Sequence, residues 1–127
     1  MASLDLSGAT VLVVDDHEDT ADLFADILEY RGAIVHRATS LLDALGHLDH
    51  NSIQVIVTDL AMPAGSGWDL LEHVRQRRGF IPVVAVTAQV APGGPWLISR
   101  GFAAVLYKPV DPGELVTVVA ELARNPH

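Results

Sequence analysis

The sequence predicts an α/β fold: a doubly wound, five-stranded parallel sheet with helices on both faces, three layers in all. Three observations carry that prediction. Short apolar, β-branched runs alternate along the chain with stretches whose apolar residues recur at helical spacing. The runs are continuously hydrophobic, so both of their faces need covering, which a parallel sheet with crossover helices provides. Helix-start and helix-stop residues sit at the joins.

The first run, Val11 to Val14, ends at the acidic pair Asp15 and Asp16. Ala21, Phe24, Ala25 and Leu28 then fall at i, i+3, i+4 and i+7, one apolar stripe of a helix that Arg31 and Gly32 stop. Ala33 to Val35 is the second strand, and Ser40 with Asp43 opens a second helix whose positions 41, 44, 45 and 48 are all apolar. Ile53 to Val57 is the third strand and delivers Thr58 and Asp59. Ser66 with Asp69 opens a third helix with the stripe 67, 70, 71, 74, and Gly79 after Arg78 is its expected stop. The fourth strand, Ile81 to Val86, leads to Thr87. Ala91 to Pro95 reads Ala-Pro-Gly-Gly-Pro, a break that predicts a short fourth helix starting near Pro95. Ala103 to Tyr107 is the fifth strand, followed by Lys108 and Pro109. Asp111-Pro112 with Glu114 opens the last helix, with the stripe 115, 118, 119, 122. These five β-α units fill one expected domain, residues 1–127 with a core of about 9–123, without linker, repeat or low-complexity tract. No output domain is expected after the last helix, where the chain ends at Arg124 to His127.

Composition narrows the chemistry. Sixteen acidic residues face eight basic ones, for a net charge of −8, and the sole basic concentration is Arg75, Arg77 and Arg78, which argues against direct nucleic-acid binding. The chain has no cysteine, so disulfides, thiol catalysis and thiolate metal sites are excluded, and any metal must be held by oxygen or imidazole. The N-terminal residues carry no basic leader, and no apolar run approaches the roughly 18 residues of a membrane span. A cytoplasmic protein with no membrane association is expected.

In a parallel sheet every strand points the same way, so the residues at the strand ends share one edge, where open α/β sheets place their sites. That edge collects Asp15 and Asp16, then Thr58 and Asp59, then Thr87, then Lys108 and Pro109. Two like charges 4 Å apart repel by about 4 kcal/mol at an effective dielectric near 20, so three carboxylates call for a positive partner. A hard cation meets that need, and Mg²⁺ is favoured because it binds through one or two carboxylates plus water and substrate phosphate. Lys108 adds a second positive charge. A carboxylate beside a cation, a lysine and a hydroxyl has what aspartyl phosphorylation requires: the carboxylate is the nucleophile and the cations neutralise the phosphoryl oxygens. Singly, an Asp after a strand is an ordinary helix cap and a Lys-Pro an ordinary turn; the joint placement on four strand ends carries the reading.

These residues resemble the receiver domains of response regulators and hybrid histidine kinases over about Ala9 to Ala123. The marks are VLVVDDHEDT with Asp15 and Asp16, VTDLAMPAGSGWDLL around Asp59, VTA ending at Ala88, and YKP at Lys108. The resemblance implies a flavodoxin-like (βα)5 fold with strand order 2-1-3-4-5. It implies that Asp59 is the phosphoacceptor, that Asp16 binds Mg²⁺ directly and Asp15 through water, and that the Ala61 carbonyl completes the protein ligands. Thr87 and Lys108 are then the groups that contact phosphoryl oxygens, and Lys108-Pro109 is a cis peptide. The donor is a phosphohistidine on a histidine kinase or histidine phosphotransfer protein, and the output is an altered surface for a downstream protein target. The chain departs from the family at Val105, where the family carries an aromatic switch residue that Tyr107 cannot be assumed to replace. It departs again at Pro92 to Pro95, which disfavour a regular start to the fourth helix. Ala61 and Gln89 occupy positions that in the family flank the attacking water.

Other conspicuous side chains are expected to be ordinary. His17 reads as a solvent-facing loop residue, and His36, His47, His50, His73 and His127 lack ligand spacing. Trp68 is read as packing close to Asp59, and Trp96 as exposed and suited to a partner surface. Two rival functions stay open. A phosphatase of the haloacid dehalogenase type also uses an aspartyl nucleophile and Mg²⁺, although its DxD pattern is replaced here by Asp15-Asp16-His17-Glu18. A receiver-like module that binds partners without phosphate would need none of the assembled site.

Overall fold

The computed structural model describes residues 5–62, 66–77, 80–88 and 93–124. Strands and helices alternate strictly: β1 (Thr10–Val14), α1 (Glu18–Tyr30), β2 (Ile34–Ala38), α2 (Leu41–His50), β3 (Val55–Asp59), α3 (Gly67–Gln76), β4 (Val83–Thr87), α4 (Gly94–Ser99), β5 (Ala104–Tyr107) and α5 (Pro112–Arg124). All strand pairs are parallel, in the order β2-β1-β3-β4-β5. The chain moves outward from β1 to β2 and returns on the other side of β1 to β3. The winding direction therefore reverses between β1 and β3, which opens a crevice at their C-terminal ends.

Successive side chains of a strand point to opposite faces, and here each face has its own core. Val11, Val13, Val55, Val57, Val84 and Val86 pack with Phe24 and Leu28 of α1 and Leu115 and Val119 of α5. Leu12, Val14, Ile56, Val83 and Ala85 pack with Ala44 of α2, Leu70 and Val74 of α3, and Leu97 and Phe102 around α4. Every residue of β3 and of β4 is buried.

The outer strand β2 departs from the expected continuous apolar run. It spans Ile34–Ala38 through His36 and Arg37, because an edge strand needs covering on fewer sides and tolerates polar residues. Arg37 reaches back over α1 to Asp22, Asp26 and Glu29. Strands β3 and β4 also run further than their apolar segments, so that Asp59 and Thr87 are last strand residues.

Helix ends follow the sequence signals. Ser40 Oγ accepts from the Asp43 amide at 3.1 Å, and the Asp111 carboxylate accepts from the Glu114 amide at 2.9 Å. Ser66 and Asp69 form a reciprocal capping box. Gly32 stops α1 at φ +101°, a backbone region that L side chains rarely enter. Gly79, the expected stop of the third helix, lies outside the described residues. The fourth helix is short, with Pro95 in its first turn. The buried stripe of α5 is Leu115, Val116, Val119 and Ala120, with Val118 and Leu122 half-buried at its margin, so the expected stripe is rotated by part of a turn.

Candidate functional site

The site is built at the C-terminal edge, where the strand ends and the first residues beyond them meet. The Asp15 amide extends the β1 pairing by donating to Ala38 O at 3.1 Å, which fixes the backbone just where the strand stops. Its side chain is only 1% exposed. Oδ1 accepts from the His17 amide at 2.9 Å, tying the carboxylate to the start of α1, while Oδ2 faces Lys108 Nζ at 3.5 Å. Asp59 ends β3 and is also buried; its Oδ1 accepts from the Ala61 amide at 3.2 Å and its Oδ2 faces Lys108 Nζ at 3.3 Å. One ammonium thus spans two buried carboxylates from separate strands.

Lys108 is positioned by its own backbone. Its amide donates to Thr87 O at 2.9 Å, which carries the β4–β5 pairing one residue beyond the strand, and the Lys108-Pro109 peptide is cis. Thr87 is itself buried at the end of β4. Burial works against the charge on Lys108, but the attraction of Asp15 and then Asp59, with their hydrogen bonds, outweighs it and holds the ammonium above the ordinary lysine value of 10.5.

Asp16 has no such partner. Its Oδ1 is sealed from solvent without a hydrogen bond, and the His17 ring nitrogen Nδ1 lies 3.4 Å away. The same ring nitrogen lies 3.4 Å from Asp15 Oδ1. An anionic oxygen that has lost water and gained no donor is costly, so this atom marks where a positive group fits. Ligand atoms of Asp15, Asp16 and His17 lie within 4.8 Å of one another, the one such group among the described residues. Hard carboxylate oxygens at that spacing suit Mg²⁺. Asp59 falls outside that group and is joined to it through Lys108.

The third helix is pressed against the end of β3. A Cβ on Gly67 would lie 2.7 Å from the Asp59 carbonyl oxygen and 3.2 Å from Leu60 Cα, so only glycine lets α3 begin that close to the end of β3. The Gly67 amide donates to Leu60 O at 3.2 Å. Trp68 follows and stacks edge-on against Trp96 and Phe102, with ring centroids 5.6 and 5.0 Å away.

The structure thus brings Asp15, Asp59 and Lys108 into direct contact, sets Asp16 beside Asp15, joins Thr87 to Lys108 by a backbone hydrogen bond, and has the Ala61 amide donate to the Asp59 carboxylate. Val105 is half-buried against the second core, and Tyr107, 40% exposed, lies toward α4, where a Cβ on Gly94 would sit 3.0 Å from its hydroxyl. Gln89 and Pro92 lie outside the described residues. His17 is solvent-facing, at 72% exposure, yet its ring also touches both acids, which loop position alone did not signal. His36 and His47 come together across β2 and α2 with ring centroids 5.4 Å apart, a pairing that their separation along the chain hides. Gly67 read in the sequence as one position of an apolar stripe; its role as a spacer shows only once α3 is docked.

The family model described as the response regulator receiver domain matches residues 11–120. The chain belongs to this family. It is 38% identical over 119 residues to an uncharacterised 14.6 kDa protein from the sodA1 3′ region of Leptolyngbya boryana, covering 91% of each chain. It is 30% identical over 113 residues to the response regulator SaeR of Staphylococcus aureus, covering 88% of this chain but 49% of SaeR. Among solved structures, the receiver domain of the Francisella response regulator 1452 superimposes with a TM-score of 0.85 at 28% identity, over 92% of this chain and 98% of that one. A receiver domain protein of Clostridium thermocellum gives 0.83 at 27%, over 91% and 94%. Receiver domains are signalling switches of two-component systems, and phosphorylation and magnesium are typical of them. In this receiver domain no helix among the described residues is long and apolar enough to cross a membrane.

Proposed function

We propose that this receiver domain, one unit spanning residues 1–127 with its core at about 9–123, takes a phosphoryl group onto Asp59 from a phosphohistidine of a histidine kinase or histidine phosphotransfer protein. The observation that supports this most directly is the lysine shared by Asp15 and Asp59, beside an Asp16 oxygen buried without a donor. Asp15, Asp16, Asp59 and the Ala61 carbonyl are the groups that would hold Mg²⁺. When bound, the ion supplies positive charge against the phosphoryl oxygens.

A carboxylate oxygen of Asp59 attacks phosphorus, the oxygen–phosphorus bond forms as the nitrogen–phosphorus bond to histidine breaks, and imidazole leaves with the electron pair. Lys108 Nζ, already 3.3 Å from Asp59, turns its donors from carboxylate to phosphoryl oxygen. The Thr87 hydroxyl, at the end of the neighbouring strand, is the second donor. The Ala61 amide holds the Asp59 carboxylate by its Oδ1, so the nucleophile is oriented before the donor arrives. The domain catalyses only its own phosphorylation and dephosphorylation, acts in the cytoplasm, and passes the change to a downstream protein target. It binds neither nucleic acid nor membrane itself.

Incubation with acetyl phosphate or a phosphohistidine donor should label the protein when Mg²⁺ is present and not in EDTA, and Asp59→Asn should remain unlabelled while folding normally. Equal labelling of Asp59→Asn would place the phosphate elsewhere and overturn the assignment.

A further inference from the structure

Between α3 and α4 lies a cleft of about 350 Å³ lined by Trp68, Leu71, Glu72, Arg75, Ser99 and Arg100. The first four recur at helical spacing on one side of α3, and the last two close α4. Three cations of this acidic chain are engaged by acids: Arg37 by Asp22, Asp26 and Glu29, Arg77 by Asp49, and Lys108 by Asp15 and Asp59. Among the described residues the guanidinium groups of Arg75 and Arg100 have no such partner.

Both are nevertheless held in place. The Arg75 guanidinium rests against Gly101, which sits at φ +121° and whose missing Cβ would collide with it. The Arg100 guanidinium lies over Trp96 at 5.6 Å from the ring centroid, and Trp96 leans on Trp68, which leans on the buried Phe102. Contacts of this kind fix the position of a guanidinium while leaving its N–H donors unspent.

We propose that this cleft binds a purine mononucleotide, its phosphate taken by Arg75 and Arg100 and its ring set against Trp68. Guanidinium forks match phosphate oxygens in pairs, and the cleft volume lies at the lower end of small-molecule sites. Glu72 adds an acceptor-only carboxylate, which already takes a hydrogen bond from Gln76 at 3.0 Å. It opposes a bare polyanion and favours a ring that carries N–H donors, as guanine does. Ser99 Oγ donates to Trp96 O at 2.6 Å, so toward a ligand it can only accept. No residue of the Asp59 site takes part.

The test is titration of the full chain with GMP, AMP, guanosine and inorganic phosphate, followed by calorimetry and tryptophan fluorescence. GMP should bind in the submillimolar range and perturb the fluorescence, with guanosine and phosphate each at least tenfold weaker. Arg75→Ala with Arg100→Ala should weaken GMP at least tenfold, and Glu72→Gln should narrow the preference for GMP over AMP. If the double alanine variant does not fold, the paired lysine variant, which keeps charge but loses the fork, should weaken binding at least threefold. Asp59→Asn should bind GMP unchanged, which separates this site from the phosphoacceptor. No binding of either nucleotide up to about 5 mM, phosphate as tight as GMP, or a folded double variant with full affinity would each overturn the proposal.

Discussion

Asp16 and Lys108 put opposite signs on the same local problem. One ammonium serves Asp15 and Asp59, while the Asp16 oxygen beside them is buried without a donor. Asp16→Asn should therefore raise metal-free stability by about 1 kcal/mol, or roughly 3–6 °C in Tm, measured by thermal unfolding in EDTA; a fall would mean that His17 already compensates the charge. Lys108→Met should do the reverse, costing about 1–2 kcal/mol at pH 8, because the buried Asp15 and Asp59 side chains lose the donor they share. The pH dependence follows from the raised Lys108 pKa. A group that holds its proton more tightly when folded contributes fully below its unfolded pKa, about 10.4, and ceases to contribute as pH climbs through the folded value. Denaturant unfolding in EDTA should thus show a loss of stability above about pH 10 that is shallower in Lys108→Met. These residues were legible in the sequence because each sits at a strand end and all strand ends of a parallel sheet share an edge. The His17 contacts were not, since they depend on how the loop turns after Asp16.

Helices and strands were legible wherever burial is two-sided or a cap is present, as at β3, β4 and the Ser66–Asp69 box. The lapses lie at the edge strand, where His36 and Arg37 hide the continuation of β2, and at α5, where a four-position template is too narrow to fix rotation. Docking distance is a further property that periodicity does not contain. Gly67 shows its effect: adding one methyl forces the start of α3 away from the Asp59 and Leu60 backbone. Gly67→Ala should cost about 1–3 kcal/mol by overpacking and slow phosphorylation of Asp59, since the Ala61 amide that orients the carboxylate lies on the same connection. Urea unfolding and labelling rates on the same preparation check both effects, and a variant with full stability and full rate would show that α3 can shift freely.

The winding order gathers the acidic edge from strands at the centre and the far side of the sheet. Asp15 follows β1, Asp59 ends β3, and Lys108 reaches them from beyond β5 at the far side of the sheet, so a cation there ties together strands that belong to both cores. Because ligand binding to the folded state alone stabilises by RT ln(1 + [L]/Kd), Mg²⁺ at ten times its Kd should add about 1.4 kcal/mol to the unfolding free energy of the whole domain. The increment should appear equally in tryptophan fluorescence, which reports Trp68 and Trp96 beside α3 and α4, and in far-ultraviolet circular dichroism, which reports all elements, as a cooperative transition requires. Asp16→Asn should abolish it, while potassium chloride at matched ionic strength should not reproduce it in the parent chain. A shift seen by fluorescence alone would mean that the cation orders only the neighbourhood of α3, and the site would then be a local clasp instead of a coupling between the two faces.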